Sequence, residues 1–259
     1  MKKTKKIIIS AIGIGLIMFV VALVNSFTGN PIANGLAKEA ALHYMDSHYR
    51  DLNLAIVKSG YNFKDGWYYV SVQSDISKDT AFNIYVDSYG NVKSDDYAYE
   101  VENNFTTFRR LDKELREKAI EMIAGKLNYD FDYIALRFVK EANLMMFERD
   151  MELDIHKPPL PITIDVVLFN EAVSYDKIAE VGKALEAILA ANNVPVADYN
   201  IRILPLSDKP QNEDQAVSWV DSLSVSDFPA AQMDAKNLPQ VIEQFELNRV
   251  NAVNEKDKK

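Results

Sequence analysis

The sequence predicts an α+β protein: an N-terminal transmembrane helix, then a helix-plus-antiparallel-meander domain and a second α+β domain containing a strand–helix–strand unit. Three observations predict it. An unbroken apolar run, IIISAIGIGLIMFVVALV, fills residues 7–24 behind Lys2, Lys3, Lys5 and Lys6. Between residues 31 and 101 the apolar period changes once, from about 3.6 to 2. Beyond residue 162 two strand patterns flank a capped helix pattern.

The bulk numbers narrow the class. A chain of 259 residues holds one large domain or two small ones, and 48% apolar with 26% charged residues argues against long disorder. No acid precedes Glu39, so with the four leading lysines set aside 25 basic residues face 38 acidic ones. A surface this acidic repels phosphate backbones and anionic lipid headgroups, and no nucleic-acid partner is expected. The absence of cysteine excludes disulfides, thiolate metal sites and Cys nucleophiles.

The apolar run gives roughly 27 Å of helix, close to the hydrocarbon thickness of a bilayer. A cleaved signal peptide has an apolar region of about 7–15 residues and an A-x-A-like exit. Val24-Asn25-Ser26 matches that exit poorly. Lysines flanking one side retain that side in the cytoplasm, which predicts a single-pass anchor with the C-terminal domains outside.

Asn30-Pro31 then signals a helix start, Asn as N-cap and Pro at the first helical position. Ile32, Leu36, Ala40 and Tyr44 fall on one face and are the expected buried stripe. Strands follow at 54–61, 67–74 and 80–87, with an Asp65-Gly66 turn between the first two, and a last strand runs over 92–101. The face opposite the helix carries Trp67, Tyr69 and Tyr85, the candidate binding surface. The competing reading makes them cross-strand pairs that stabilise the sheet, or covers them with the second domain.

The run "GNPI", helix, "YNFKDGWYYVSV" and "SKDTAFNIYVDSYGNV" behind a basic tip and single span resembles the YfjL-like membrane-anchored proteins of Bacillus and relatives. The resemblance is best over residues 1–110; "PPLPITIDVVLF" and "ADYNIRILPL" are compatible with a second part of such a protein. The helix and meander also resemble the cystatin-like or PepSY-like ectodomain fold. That second resemblance implies an inhibitory or regulatory role toward a neighbouring surface protein. Neither brings a set of functional residues.

In the second half, 108–127 is a helix with Leu111, Leu115, Met122 and Ile123 as its stripe, and with Asp112/Arg116 and Glu114/Lys118 at ion-pair spacing. A strand over 131–139 follows, and 143–154 fits a short helix or a strand. Strand 162–169, a helix capped by Ser174 and strand 199–206 form the βαβ-like unit, in a mixed or antiparallel sheet. A polar loop at 207–216 precedes a final helix opened by Asn237-Leu238-Pro239. The expected divisions are a cytoplasmic basic tip 1–6, a transmembrane helix 7–24, ectodomains 25–104 and 105–253, and a frayed tail 254–259.

Catalytic signatures are missing. His43 and Asp46 supply at most two ligands from one helix and His48 points about 140° away, so neither metal nor cofactor is expected. There is no G-x-S-x-G elbow and no phosphate-cradling loop. Asp95-Asp96, Asp75/Asp79 and Asp130/Asp132 fit no calcium loop and read first as solvated acids. The expected function is a non-enzymatic binding or regulatory ectodomain for a protein, peptide or cell-wall partner. The alternative is a membrane-attached hydrolase of wall polymer or peptide.

Overall fold

The structure, a computed structural model, describes residues 2–139, 143–212 and 215–256. Met1, the end of the expected tail and residues 213–214 of the expected loop lie outside them. The architecture is α+β, with two four-stranded sheets. The chain divides into two compact units. One takes the chain up to Thr107 together with Phe147–Met151; the other takes Phe108–Met146 and the chain from Glu152 onward.

Helix α1 (Lys2–Thr28) is long and apolar enough to cross a membrane, and none of its apolar stretch is buried. It ends at Gly29, whose φ of 74° lies in the left-handed region that stops helices. Asn30 then caps α2 (Pro31–His48), its side chain accepting from the Ile32 N–H at 2.8 Å.

α2 packs on a meander of β1 (Leu54–Asn62), β2 (Trp67–Ser74), β3 (Ala81–Val86) and β4 (Val92–Asp95), antiparallel throughout and in that order. The core alternates as period two requires: Tyr68, Val70 and Val72 from β2 meet Phe82, Ile84 and Val86 from β3. The expected stripe on α2 is corrected by one residue. Ala33, Ala37, Ala41 and Met45 are buried, whereas Ile32 and Leu36 are 75% and 43% exposed. Small alanines let the helix lie close on the sheet, which turns the larger side chains outward. The last strand is also shorter than expected. It stops at Asp95, and residues Ala98–Glu102 form one helical turn that buries Val101.

The second unit begins on α3 (Phe105–Ile123), whose Leu111, Leu115, Ala119 and Ile123 are fully buried. Asp112 pairs with Arg116 as the spacing predicts, but Glu114 pairs with Arg110, at 2.7 Å. The sheet runs β5 (Asp130–Phe138), β6 (Ile162–Asn170), β7 (Val196–Pro205), β8 (Leu223–Pro229). β6 and β7 are parallel, joined through α4 (Tyr175–Ala191), while both outer pairs are antiparallel, so the sheet is mixed. The Ser174 side chain caps α4, accepting from the Lys177 N–H at 3.2 Å. α4 packs on β7 and on α5 (Leu238–Lys256), and α5 packs on β8. β8 falls where the sequence showed no strand. Between its pairs Val225–Ile201 and Phe228–Tyr199, two residues face the single residue Asn200, a bulge that breaks the alternation.

Candidate functional site

The structure places Trp67, Tyr69 and Tyr85 on one face of the first sheet, away from α2. Tyr69 lies directly opposite Tyr85 on one side and Gly60 on the other. Its ring fills the space above Gly60, where a Cβ would come within 2.6 Å of the ring's Cζ. This is the aromatic cover that a strand glycine needs. Tyr85 donates from its hydroxyl to Asp96 Oδ2 at 3.1 Å, and burial, then the Asp96 charge, raises its phenol above the ordinary value. Both rings are therefore tied into the sheet. Trp67, at the start of β2, is 38% exposed.

At least one member of each acid pair carries a structural bond. Asp95 accepts from the Tyr44 and Tyr49 hydroxyls at 2.6 and 3.0 Å. Asp79, 1% exposed, accepts from the Asp150 N–H at 2.8 Å. Asp130 pairs with Lys209, and Asp46 with Arg50 at 3.1 Å.

A second face carries more chemistry. On the side of the second sheet away from its apolar core, two adjoining open hollows of about 350 and 480 Å³ share Arg137, Asp165 and Asn200. These come from β5, β6 and β7, and register aligns them: Asp165 lies opposite Asn200, and Arg137 opposite Thr163. Asn200 donates from Nδ2 to Asp165 Oδ1 at 2.5 Å and accepts the Asp227 N–H on Oδ1 at 2.7 Å. The bulge in β8, with Asp227 at φ 55°, brings that acid into the hollow. Arg137 stands between two carboxylates, 4.0 Å from Asp165 and 4.0 Å from buried Asp112. Its Nε is buried with no hydrogen-bond partner among the described residues. Asp198 lines the same hollow, and burial, then the nearby Asp227 charge, raises its carboxyl above the usual range. At the far side Arg202 lies 4.7 Å from the ring centroid of Trp219.

Sequence reasoning passed over this face. The signal was there as polar residues at every second position in otherwise apolar strands: Thr163 and Asp165, then Asp198, Asn200 and Arg202. Their convergence depends on the pairing of three strands and on one bulge, which no local pattern encodes. Chemically, the face offers carboxylate, amide and guanidinium groups to a polar ligand.

No curated relative and no solved structure matches the chain. Two family models do. The model described as YfjL-like, N-terminal domain, matches residues 4–96, and the YfjL-like C-terminal domain matches residues 114–243. Between them the two models take in both sheets and the long apolar helix, and the chain belongs to the YfjL-like family.

Proposed function

We propose that this chain is a single-pass anchored protein of the cell membrane, with its N-terminus cytoplasmic and both folded units outside. There it acts as a binding or regulatory ectodomain for a protein, peptide or cell-wall partner. The anchor reading is supported by the uncovered apolar length of α1, and the orientation by the lysines that precede it. One observation carries the binding reading. Arg137, Asp165, Asn200 and Asp227 form a linked, net acidic surface that offers directional polar contacts on rigid strands.

A second reading is a membrane-attached hydrolase of wall polymer or peptide. Asp198 and Asp227, two carboxylates lining one hollow, favour it, since such hydrolysis uses a carboxylate pair as acid and base.

One series tests these readings. Full-length chain with a C-terminal epitope is expressed in protoplasts, with a photo-crosslinking residue at Ser224 or at Trp67. External protease is expected to remove the epitope; protection reverses the orientation. Crosslinking at Ser224 is expected to give a discrete adduct that Arg137→Ala abolishes. No adduct from either position removes the binding reading. Release of wall fragments by the purified chain, lost in Asp198→Asn, replaces it with the hydrolase.

A further inference from the structure

The end of the first unit where α1 arrives is ringed by exposed apolar and aromatic side chains. Phe27, in the last turn of α1, is 60% exposed, and its ring lies 6.1 Å from that of Phe63. Phe63, in the β1–β2 turn, is 57% exposed. Ile32 in the first turn of α2 and Trp67 at the start of β2 are exposed close by in the chain. Tyr89, 86% exposed in the β3–β4 turn, lies at the same end of the sheet, because Val86 is paired with Tyr68 next to Trp67.

The arrival point is not a free swivel. Gly29 lies so close to Tyr61 that a Cβ on it would come within 2.6 Å of the Tyr61 Cβ. The Tyr68 hydroxyl accepts from the Asn30 N–H at 2.7 Å. Two tyrosines of the sheet thus hold the junction, and the β1–β2 turn keeps its place beside the end of α1. Depth follows from helix rise. Phe27 is three residues beyond Val24, the end of the apolar run, or about 4.5 Å along the axis. That is the headgroup layer, where aromatic rings are favoured and a lysine such as Lys64 reaches phosphate. The acids at this end are engaged: Asp65 accepts from the Asn62 side chain, and Asp87 pairs with Lys93 at 2.9 Å.

We infer that Phe27, Ile32, Phe63, Trp67 and Tyr89 form a rim that rests in the outer-leaflet interface of the bilayer, seating the first unit directly on the membrane. This rests on the reading of α1 as an uncleaved anchor. Continuity of the rim with α1 selects lipid as the occupant. It also accounts for Ile32, an isoleucine that the fold itself leaves uncovered.

The chain has no cysteine, so single-cysteine variants carry one label each. Full-length Ile17→Cys, Phe63→Cys and Ile76→Cys, labelled with a polarity-sensitive fluorophore, are reconstituted in phosphatidylcholine–phosphatidylglycerol vesicles containing nitroxide at the headgroup or mid-chain. Ile76 follows β2 at the opposite end of the sheet, roughly 25 Å from the rim over eight residues of strand. The expected pattern is quenching of the label at 17 by mid-chain nitroxide and of that at 63 by headgroup nitroxide, at least twofold above the label at 76. A deep label at 17 with the label at 63 as aqueous as that at 76 overturns the rim alone. A label at 63 shielded from water but unquenched by lipid nitroxide also overturns it, in favour of a protein occupant. An aqueous label at 17 overturns the anchor itself. Lys64→Cys in the same turn reads the same depth if Phe63→Cys fails to fold.

Discussion

Asp95 gathers two phenols at the end of α2. Burial first, then the Asp95 hydrogen bond and charge, push the Tyr44 phenol from 10.0 up to about 12, and Tyr49 is raised further by the same causes. Around them Tyr49 packs edge-on against Phe82, with ring centroids 5.1 Å apart. The protonated phenols are the form the fold prefers. A raised folded-state value means that the unfolded chain ionises first as pH rises. The Tyr44 contribution is therefore complete below pH 10 and lost as pH climbs through about 12. Thermal melts followed by circular dichroism are expected to show a flat midpoint below about pH 9 and a steep fall above 10. Tyr44→Phe is expected to start from a lower midpoint, because the Asp95 bond is gone, and to fall less steeply.

At the scale of elements, one buried side chain ties α3 to β5 by hydrogen bonding, beside the ring contact of Phe108 with Phe138. Asp112, 3% exposed, accepts the Phe138 N–H at 3.2 Å and also holds Arg116. Asp112→Ala strips the acceptor from a buried backbone donor and removes one of the two carboxylates beside Arg137. A loss of about 1–3 kcal/mol in urea unfolding is expected. The helix carrying Asp112 was legible, because its apolar stripe and charge spacing agree. The meander was legible from its period-two alternation and its turns, down to the placement of Trp67, Tyr69 and Tyr85 on one face. The buried face of α2, though not the helix itself, and the strand β8 were not. On α2 the apolar period favours Ile32 and Leu36 by size, but the sheet accepts Ala33, Ala37 and Ala41 because close approach matters more than side-chain volume. In β8 the bulge at Ser226-Asp227 cancels the alternation that marks a strand. That same bulge builds the polar hollow, so the strand and the site were hidden together.

For the molecule as a whole, the first unit is not continuous in sequence. Phe147–Met151 returns to it, and Phe147 is 2% exposed. Asp150 accepts on Oδ1 from the Ser77 hydroxyl and the Asp79 N–H, both at 3.0 Å, while Asp79 accepts from the Asp150 N–H. Asp150 has φ 64°, a conformation that Asn also tolerates. Asp150→Ala, which loses both accepted bonds and strains the backbone, is expected to lower the stability of the first unit by about 1–3 kcal/mol. Asp150→Asn, which retains an acceptor oxygen, is expected to lose much less; hydrogen exchange of β2 and β3 amides resolves the two.

This clasp has a consequence for biosynthesis. A chain made from its N-terminus presents the whole meander long before Asp150 leaves the ribosome. Until then the β2–β3 turn waits with Asp79 unclasped, through the synthesis of α3 and β5. The first unit is therefore complete only after synthesis of the second has begun, though still before β6, β7 and β8 are made. The half that is made first is closed only by a strap from beyond the start of the half that is made second.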